Sequence, residues 1–242
     1  MTGRTLDLRG FEDLWWRFQS LHYQRHNQRR LEHLTSLGLP LSGRSVLEVG
    51  AGIGDHARYF LDRGCAMTIT EGRPRCVEVI RRRYPGIRAL ELDLDSPNPD
   101  ALGDARFDVV YCYGVLYHLA RPAEALRFLA ERSRGLLLLE TCVRFGPEDT
   151  VTFHEEPPEV GENALSGRGC RPSRAWLWRE LGALFPHVYL PTTQPWHEEF
   201  PTDWTTPPDN PFLIRAVFVA SRTPLSNPAL TTQLLTRQER CP

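Results

Sequence analysis

The fold of this 242-residue chain is decided by residues 46–54, which read Val46-Leu47-Glu48-Val49-Gly50-Ala51-Gly52-Ile53-Gly54. A short apolar run typical of a β-strand leads into three glycines at alternating positions, and a helical pattern follows as far as Leu61. Glycine lets the backbone turn tightly and come close to a ligand, and the start of a helix adds unpaired N–H groups. The stretch therefore predicts a ligand-binding turn between a strand and a helix.

Strands and helices alternate on both sides of this turn, which predicts right-handed βαβ units and a parallel sheet. An amphipathic helical segment, about residues 11–37, precedes the turn. The later strands are expected at residues 66–70, 87–92, 107–112, 136–140, 187–190 and 212–220, and the later helices at 73–84, at 122–132 and after the N-cap Ser173. Residues 142–172 are rich in proline, glycine and acids, and we expect a functional loop there.

A ribose-binding cofactor is predicted from Glu71, which ends the second strand about 20 residues after the glycine turn. Nicotinamide dinucleotides and S-adenosylmethionine both fit such an acid. Glu48 before the glycines and Asp55 after them suit a ligand with a cationic amino group better than a pyrophosphate, which avoids nearby negative charge. The turn thus favours S-adenosylmethionine.

The 29 basic residues are all arginine, so lysine-dependent classes are excluded. These are Walker A NTPases, protein kinases, Schiff-base enzymes and short-chain dehydrogenases. The net charge of -1 argues against a nucleic-acid or membrane partner. The six cysteines form no C-x-x-C pair, residues 1–10 lack a signal core, and no apolar stretch could cross a membrane, so we expect a reduced, cytoplasmic protein.

Residues 46–140 resemble the class I S-adenosylmethionine-dependent methyltransferases. The glycine turn is similar to that family's first motif, Leu92-Asp93-Leu94 to its third, and residues 107–110 with 115–119 to its fourth. The resemblance implies a three-layer, Rossmann-like α/β fold with seven strands in the order 3-2-1-4-5-7-6, strand 7 alone being antiparallel. The cofactor-binding residues expected from it are Glu48, Gly50, Ala51, Gly52, Gly54, His56, Glu71, Asp93, Leu94 and Tyr113.

Tyr111-Cys112-Tyr113-Gly114 stands where base-methylating and glutamine-methylating members carry Asn/Asp-Pro-Pro-Tyr, which argues against methylation of DNA bases. We expect one structural domain, with a helical cap at residues 1–40, a cofactor-binding region at 41–222 and a tail at 223–242. Residues 142–172 and 191–208 are expected to be acceptor-site loops.

Methyl transfer to a hydroxyl needs a base, and without lysine the candidates are histidines and carboxylates near the carboxyl ends of the strands. We name His118, His197 and Glu140, for each of which a purely structural role stays open. The substrate-binding candidates are His22, His26, Arg168, Arg171, Trp196 and Trp204. His22 and His26 share a helical face, but no third ligand stands near them in the sequence, so no metal site is predicted.

The activity predicted is O-methylation of a small-molecule acceptor, such as a sugar or a secondary-metabolite intermediate. Methylation at nitrogen or carbon, methylation of a tRNA or a protein side chain, and a non-catalytic cofactor-binding module stay open as alternatives. A homodimer is also left open.

Overall fold

A computed structural model describes residues 15, 16, 18–158 and 163–242. Residues 11–14 of the predicted N-terminal helix, and residues 159–162 of the predicted loop, lie outside this description. The strands are β1 Ser45–Val49, β2 Ala66–Glu71, β3 Arg88–Glu91, β4 Phe107–Tyr113, β5 Ser133–Cys142, β6 Val151–Glu155, β7 Arg168–Pro172, β8 His187–Pro191, β9 Thr193–Gln194, β10 Arg215–Ser221, β11 Leu230–Thr231 and β12 Glu239–Arg240. The helices are α1 Leu21–Ser36, α2 Ala57–Leu61, α3 Pro74–Arg83, α4 Pro122–Arg132 and α5 Arg174–Leu184, with 3₁₀ turns at Pro99–Ala101 and Leu116–His118.

Local sequence signals mark where several helices begin. Ser173 caps α5 by accepting a hydrogen bond from the backbone N–H of Trp176 at 3.1 Å, as its position before the helix predicts. Proline begins α3 and α4 at Pro74 and Pro122, where its missing N–H costs no helical hydrogen bond.

The large sheet has the order β11-β8-β10-β5-β4-β1-β2-β3 in the described residues. Without β11, this is the predicted seven-strand order, and β10 is antiparallel to both of its neighbours, as expected for strand 7. The prediction missed β11, a two-residue strand from the tail that pairs antiparallel with the outer edge of β8. The α/β prediction is confirmed, with this one added edge strand.

Helices cover both faces of the sheet and form two apolar cores. Along β1, alternate side chains point to opposite faces, so Leu47 and Val49 enter one core while Val46 enters the other. The first core packs against α4 and α5, and the second against α1, α2 and α3. The three layers leave the carboxyl ends of β1, β2 and β4 at one edge, where open α/β sheets bind ligands.

The segment 142–172 contains a β-hairpin rather than an open loop. β6 and β7 pair antiparallel, with Phe153 opposite Cys170. The tail also adds order, since β12 pairs with β9. No helix in the described part of the chain has the length and apolar character needed to cross a membrane.

Candidate active site

The glycine turn lies close to neighbouring side chains. Gly50 and Gly52 have φ values of +61° and +57°, a conformation that residues with a Cβ seldom adopt. A Cβ at Gly50 would lie 2.4 Å from the Cβ of Val115, and one at Gly52 would lie 2.8 Å from the ring of Phe18. Glycine is therefore required at both positions by conformation and by space.

A cavity opens beside this turn, at the carboxyl ends of β1, β2 and β4. Of the residues predicted to bind a cofactor, it is lined by Glu48, Gly50, Ala51, Gly52, His56, Glu71, Asp93, Leu94 and Tyr113. Gly54 is not part of the lining, and its carbonyl accepts a hydrogen bond from the hydroxyl of Tyr84 at 2.8 Å. The structure thus brings together residues that are spread over 66 positions of the sequence from Glu48 to Tyr113.

The carboxylate of Glu71 is held by the backbone at the end of β2. One oxygen accepts the N–H of Gly52 at 2.9 Å, and the other accepts the N–H of Arg73 at 3.0 Å. Burial raises the pKa of Glu71, and these backbone hydrogen bonds oppose that rise. Since each carboxylate oxygen can accept more than one bond, both keep capacity for ligand hydroxyls.

Four buried polar atoms of cavity-lining residues have no hydrogen-bond partner among the described residues: Arg30 Nε, Glu48 Oε2, His56 Nε2 and the Tyr113 hydroxyl. Burial and the neighbouring charge of Asp55 raise the pKa of Glu48 to about 8. Burial lowers the pKa of His56 to about 3, so its imidazole is neutral. Unpaired buried groups are costly, and together these atoms form a polar lining that fits a ligand carrying both donors and acceptors.

Helix α1 supplies part of the wall, but through residues other than the His22 and His26 predicted from the sequence. Tyr23, Asn27 and Arg30 line the cavity. Their spacing of four and three residues places them on one helical face, and this was the signal available in the sequence. The predicted helical cap therefore contacts the ligand cavity directly.

His118 lies in the cavity wall, in the 3₁₀ turn after β4. Its Nδ1 is 2.5 Å from Oε2 of Glu156, which follows β6. Glu156 also bonds His154 Nε2 at 2.8 Å and the N–H of Ala164 at 2.8 Å. Burial raises the pKa of Glu156. The hydrogen bonds from His118, Ala164 and His154 and the charge of His118 outweigh burial, and the pKa falls to about 2.

Glu140, a predicted base, is enclosed and outside the cavity lining. It is fully buried and pairs with Arg30 at 2.7 Å and with Arg215 at 3.1 Å. Arg215 in turn pairs with Glu199 at 2.6 Å. The structure thus places Glu140 within a buried four-residue ion-pair chain.

His22, His26 and His197 are brought together on the side of α1 away from the cavity lining. The imidazole centroids of His26 and His197 are 4.8 Å apart, and those of His22 and His197 are 5.6 Å apart. Glu199 lies 3.4 Å from His22 Nε2 and 3.6 Å from His26 Nε2. We name these four residues the histidine cluster.

The other predicted substrate residues are also outside the cavity lining. Arg168 lies over the ring of Phe153, and Arg171 lies 5.2 Å from the ring of Tyr117. The indole N–H of Trp196 donates to the carbonyl of Cys241 at 2.6 Å. Trp204 donates to Gln238 at 2.9 Å, so both tryptophans hold the C-terminal tail.

Comparisons with known proteins agree with this geometry. The sequence profile of a family described as a methyltransferase domain matches residues 23–183. A tRNA U34 carboxymethyltransferase of Photobacterium profundum is 30% identical over 185 residues, which are 74% of this chain and 55% of that protein. The chain spans about half the length of the curated relatives it matches.

Two solved structures share the fold. The N-terminal domain of EvdMO1 with SAH bound has a TM-score of 0.56 and 20% identity, covering 84% of each chain. A putative methyltransferase in complex with the Haloferax volcanii Trm112 activator has a TM-score of 0.60 and 17% identity, covering 87% of this chain and 97% of that one.

Proposed function

The chain belongs to the class I S-adenosylmethionine-dependent methyltransferases, and on that basis we propose that it methylates a hydroxyl group of a small molecule, such as a sugar or a secondary-metabolite intermediate. The observation that carries the proposal is the imidazole of His118, which faces the cavity and is oriented by Glu156. The match to the methyltransferase family confirms the resemblance predicted from residues 46–140.

Residues of this chain fit the cofactor. Glu71 would accept the ribose hydroxyls, and the close approach at Gly50 and Gly52 would admit the ligand next to the backbone. The unpaired oxygen of Glu48 suits the cofactor's amino group. Asp93 and Leu94 would contact the adenine. When bound, S-adenosylmethionine supplies an electrophilic methyl group.

His118 has the form that a general base needs. Glu156 is ionised and can only accept, so the ring proton of His118 lies on Nδ1 and the lone pair is on Nε2. Burial lowers the pKa of His118, and the hydrogen bond and charge of Glu156 partly oppose that fall, so the imidazole is neutral near pH 7. Nε2 can then accept a hydroxyl proton while Glu156 stabilises the imidazolium.

The elements that enclose the cavity favour the proposal of a small acceptor. Asn163 and Leu165, which precede β7, and residues of α1 all contribute to the lining. A guanidinium N–H of Arg73 donates to the carbonyl of Asn163 and so ties this cover to the start of α3. An acceptor that reaches His118 must fit beneath these elements.

The charges of the cavity wall support the same proposal. Two arginines, Arg30 and Arg73, line it together with four acidic residues, Asp55, Glu71, Asp93 and Asp95, and with Glu48, whose raised pKa of about 8 leaves it largely uncharged near pH 7. Such a wall disfavours a polyanion within the cavity.

The six described cysteines are all free and buried, which supports our proposal that the enzyme is cytoplasmic.

The second candidate is methylation of a tRNA, favoured by the 30% identity with the Photobacterium protein, which is named as acting on a tRNA. It requires a positively charged face around the mouth of the cavity to bind the phosphate backbone. Half of that relative's length lies outside the match, so contributions from elsewhere in it are not inherited by this chain.

Release of S-adenosylhomocysteine from S-adenosylmethionine tests the proposal, with sugars, nucleotide sugars and phenols in one set of reactions and bulk tRNA in another. We expect turnover with a small hydroxylated acceptor. His118→Ala should reduce it by about 100-fold or more while the affinity for S-adenosylhomocysteine is kept. His187→Ala, at the start of β8, is the matched control.

Turnover with tRNA alone would replace the proposal by the second candidate. Binding of S-adenosylhomocysteine without turnover of any acceptor would indicate a non-catalytic binding module. Full activity of His118→Ala would mean that the base lies elsewhere.

A further inference from the structure

The histidine cluster joins two parts of the chain that are far apart in sequence. His22 and His26 lie one turn apart on α1, and His197 and Glu199 lie between β9 and β10. The side chains of His26, His197 and Glu199 are nearly enclosed, with side-chain exposures of 4%, 0% and 9%. His22 is 62% exposed and forms the solvent edge of the cluster.

Two imidazole nitrogens in the cluster lack the partner that burial demands. Nε2 of His26 and Nε2 of His197 are both inaccessible to solvent and make no hydrogen bond with any described residue. An unpaired buried polar group costs about 1–3 kcal/mol, so such groups are normally satisfied by protein, water or an ion. Two of them on imidazoles whose centroids are 4.8 Å apart indicate a shared ligand.

We propose that the histidine cluster binds a single zinc-like transition-metal ion through His26, His197 and Glu199, which form one compact group. His22, whose Nε2 lies 3.4 Å from Glu199 and which forms a second group with His197 and Glu198, would complete the site from its solvent edge. Two or three imidazoles with one carboxylate form a donor set that zinc commonly takes, and two histidines four residues apart on a helix are a frequent part of such sites. Calcium and magnesium prefer sites made of oxygen ligands alone.

The distances suit a site that contracts slightly around an ion. One ligand atom from each of His26, His197 and Glu199 lies within 4.8 Å of the other two. Zinc bonds of about 2.0–2.2 Å place tetrahedral ligands about 3.4 Å apart, so each ligand atom must move by less than about 1 Å. Rotation of side-chain torsions can supply a shift of that size.

Groups around the ligands are placed to support them. Coordination through Nε2 of His197 puts the ring proton on Nδ1, where a carboxylate oxygen of Glu198 lies 3.7 Å away. The 3.3 Å hydrogen bond from the N–H of Glu199 to that Nδ1 would then be given up. Arg215 holds one oxygen of Glu199 at 2.6 Å, in the way that metal-bound carboxylates are usually held.

The arginines beside the site are paired, and one proposed ligand meets solvent. Arg30 and Arg215 pair with Glu140 and Glu199, so the ion would add positive charge, and solvent reaches the cluster at His22. A water molecule or an anion can reach the ion from that side.

The metal would fasten α1 to the segment after β9. The adjacent face of α1 carries Tyr23, Asn27 and Arg30 into the cofactor cavity. None of the four proposed ligands lines that cavity, so the ion would have a structural role and the inference does not depend on the reaction. It also assigns His22, His26 and His197 a role other than the substrate contact and base predicted from sequence.

The test uses the full chain without an affinity tag, stripped with a chelator and titrated with Co²⁺ and then Zn²⁺. We expect one equivalent of Co²⁺ with visible ligand-field bands typical of tetrahedral coordination, its displacement by Zn²⁺, and a higher Tm in the presence of Zn²⁺. His26→Ala and His197→Ala should lose more than the roughly 10- to 100-fold in affinity that an outer-shell change costs.

His187→Ala is the matched control and should bind as the wild type does. His22→Ala, at an exposed position where folding is not at risk, should weaken Co²⁺ binding and alter its spectrum. Absence of stoichiometric Co²⁺ and Zn²⁺ binding by the wild type would overturn the proposal. Equal binding by wild type, His22→Ala and His197→Ala would overturn it as well.

Discussion

Replacing Glu71 with alanine should strongly weaken cofactor binding. The side chain is 9% exposed, and each carboxylate oxygen already accepts one backbone N–H, from Gly52 and from Arg73. The remaining lone pairs face the cavity and would accept two ribose hydroxyls. The substitution removes both ligand bonds and also frees the N–H of Gly52, which helps to shape the glycine turn.

The expected loss follows from the number of bonds. A hydrogen bond to a charged group contributes about 1.5–3 kcal/mol, so two bonds contribute at least about 3 kcal/mol. At about 1.4 kcal/mol per factor of ten, the Kd for S-adenosylhomocysteine should rise by about 150-fold or more. Glu71→Gln keeps one acceptor oxygen, and we expect a loss of about tenfold.

Isothermal titration calorimetry with S-adenosylhomocysteine measures this effect. Glu91→Gln is the matched control, since Glu91 stands beside Glu71 in the register of β2 and β3 but is exposed. Burial raises the pKa of Glu71, so wild-type affinity should fall on acidification at a higher pH than for an ordinary glutamate. An unchanged Kd for Glu71→Ala, or binding of NADH in place of S-adenosylhomocysteine, would refute the reasoning.

Three further changes probe other parts of the site. Arg215→Ala removes an ion-pair partner from the buried carboxylates of Glu140 and Glu199. The free energy of unfolding, measured by urea denaturation, should fall by about 3–5 kcal/mol. Gly50→Ala places a Cβ 2.4 Å from Val115 and should reduce both stability and S-adenosylhomocysteine affinity, whereas Gly182→Ala meets no atom within 4 Å and should not. Glu156→Gln removes the charge that holds up the pKa of His118 and should move the NMR titration of that imidazole to lower pH.

Controls separate these effects from general damage. Arg134→Ala breaks an ion pair between a solvent-exposed arginine and Asp108 and should leave the free energy of unfolding nearly unchanged. Glu155→Gln removes an exposed charge next to Glu156 and should leave the His118 titration in place. Equal losses for Arg215→Ala and Arg134→Ala, or an unmoved titration in Glu156→Gln, would contradict the assignments.

The alternation of strands and helices was predictable because its signals are local, whereas the order of the seven strands followed from the family resemblance of residues 46–140. The alternation of apolar runs, glycine and helix starts occurs within short windows, and β11 was missed because a two-residue strand carries no periodic signal. The cofactor wall was predictable where it follows strand ends, as at Glu48 and Glu71. The contribution of α1 was not, since a helical face does not reveal what it packs against.

Residue roles that depend on distant partners could not be read from the sequence. Glu140 was a candidate base with a structural role left open, and the structure pairs it with Arg30 and Arg215, which lie 110 residues before it and 75 residues after it. Nothing in the sequence around Glu156 points to His118, and the hairpin of β6 and β7 brings the two together across 38 residues.

The family, the glycine turn and the absence of lysine, which limits proton transfer to histidines and carboxylates, follow from the sequence alone. The tertiary structure alone decided which histidine faces the cavity and which ones meet Glu199. The physical reason is that backbone propensity and apolar periodicity act over a few residues, whereas ion pairs and hydrogen bonds form between whichever polar groups packing brings within about 3–4 Å. His118 and the three histidines of the cluster were all predicted to lie near a ligand site. Only the polar groups that packing brings next to each of them distinguish their roles.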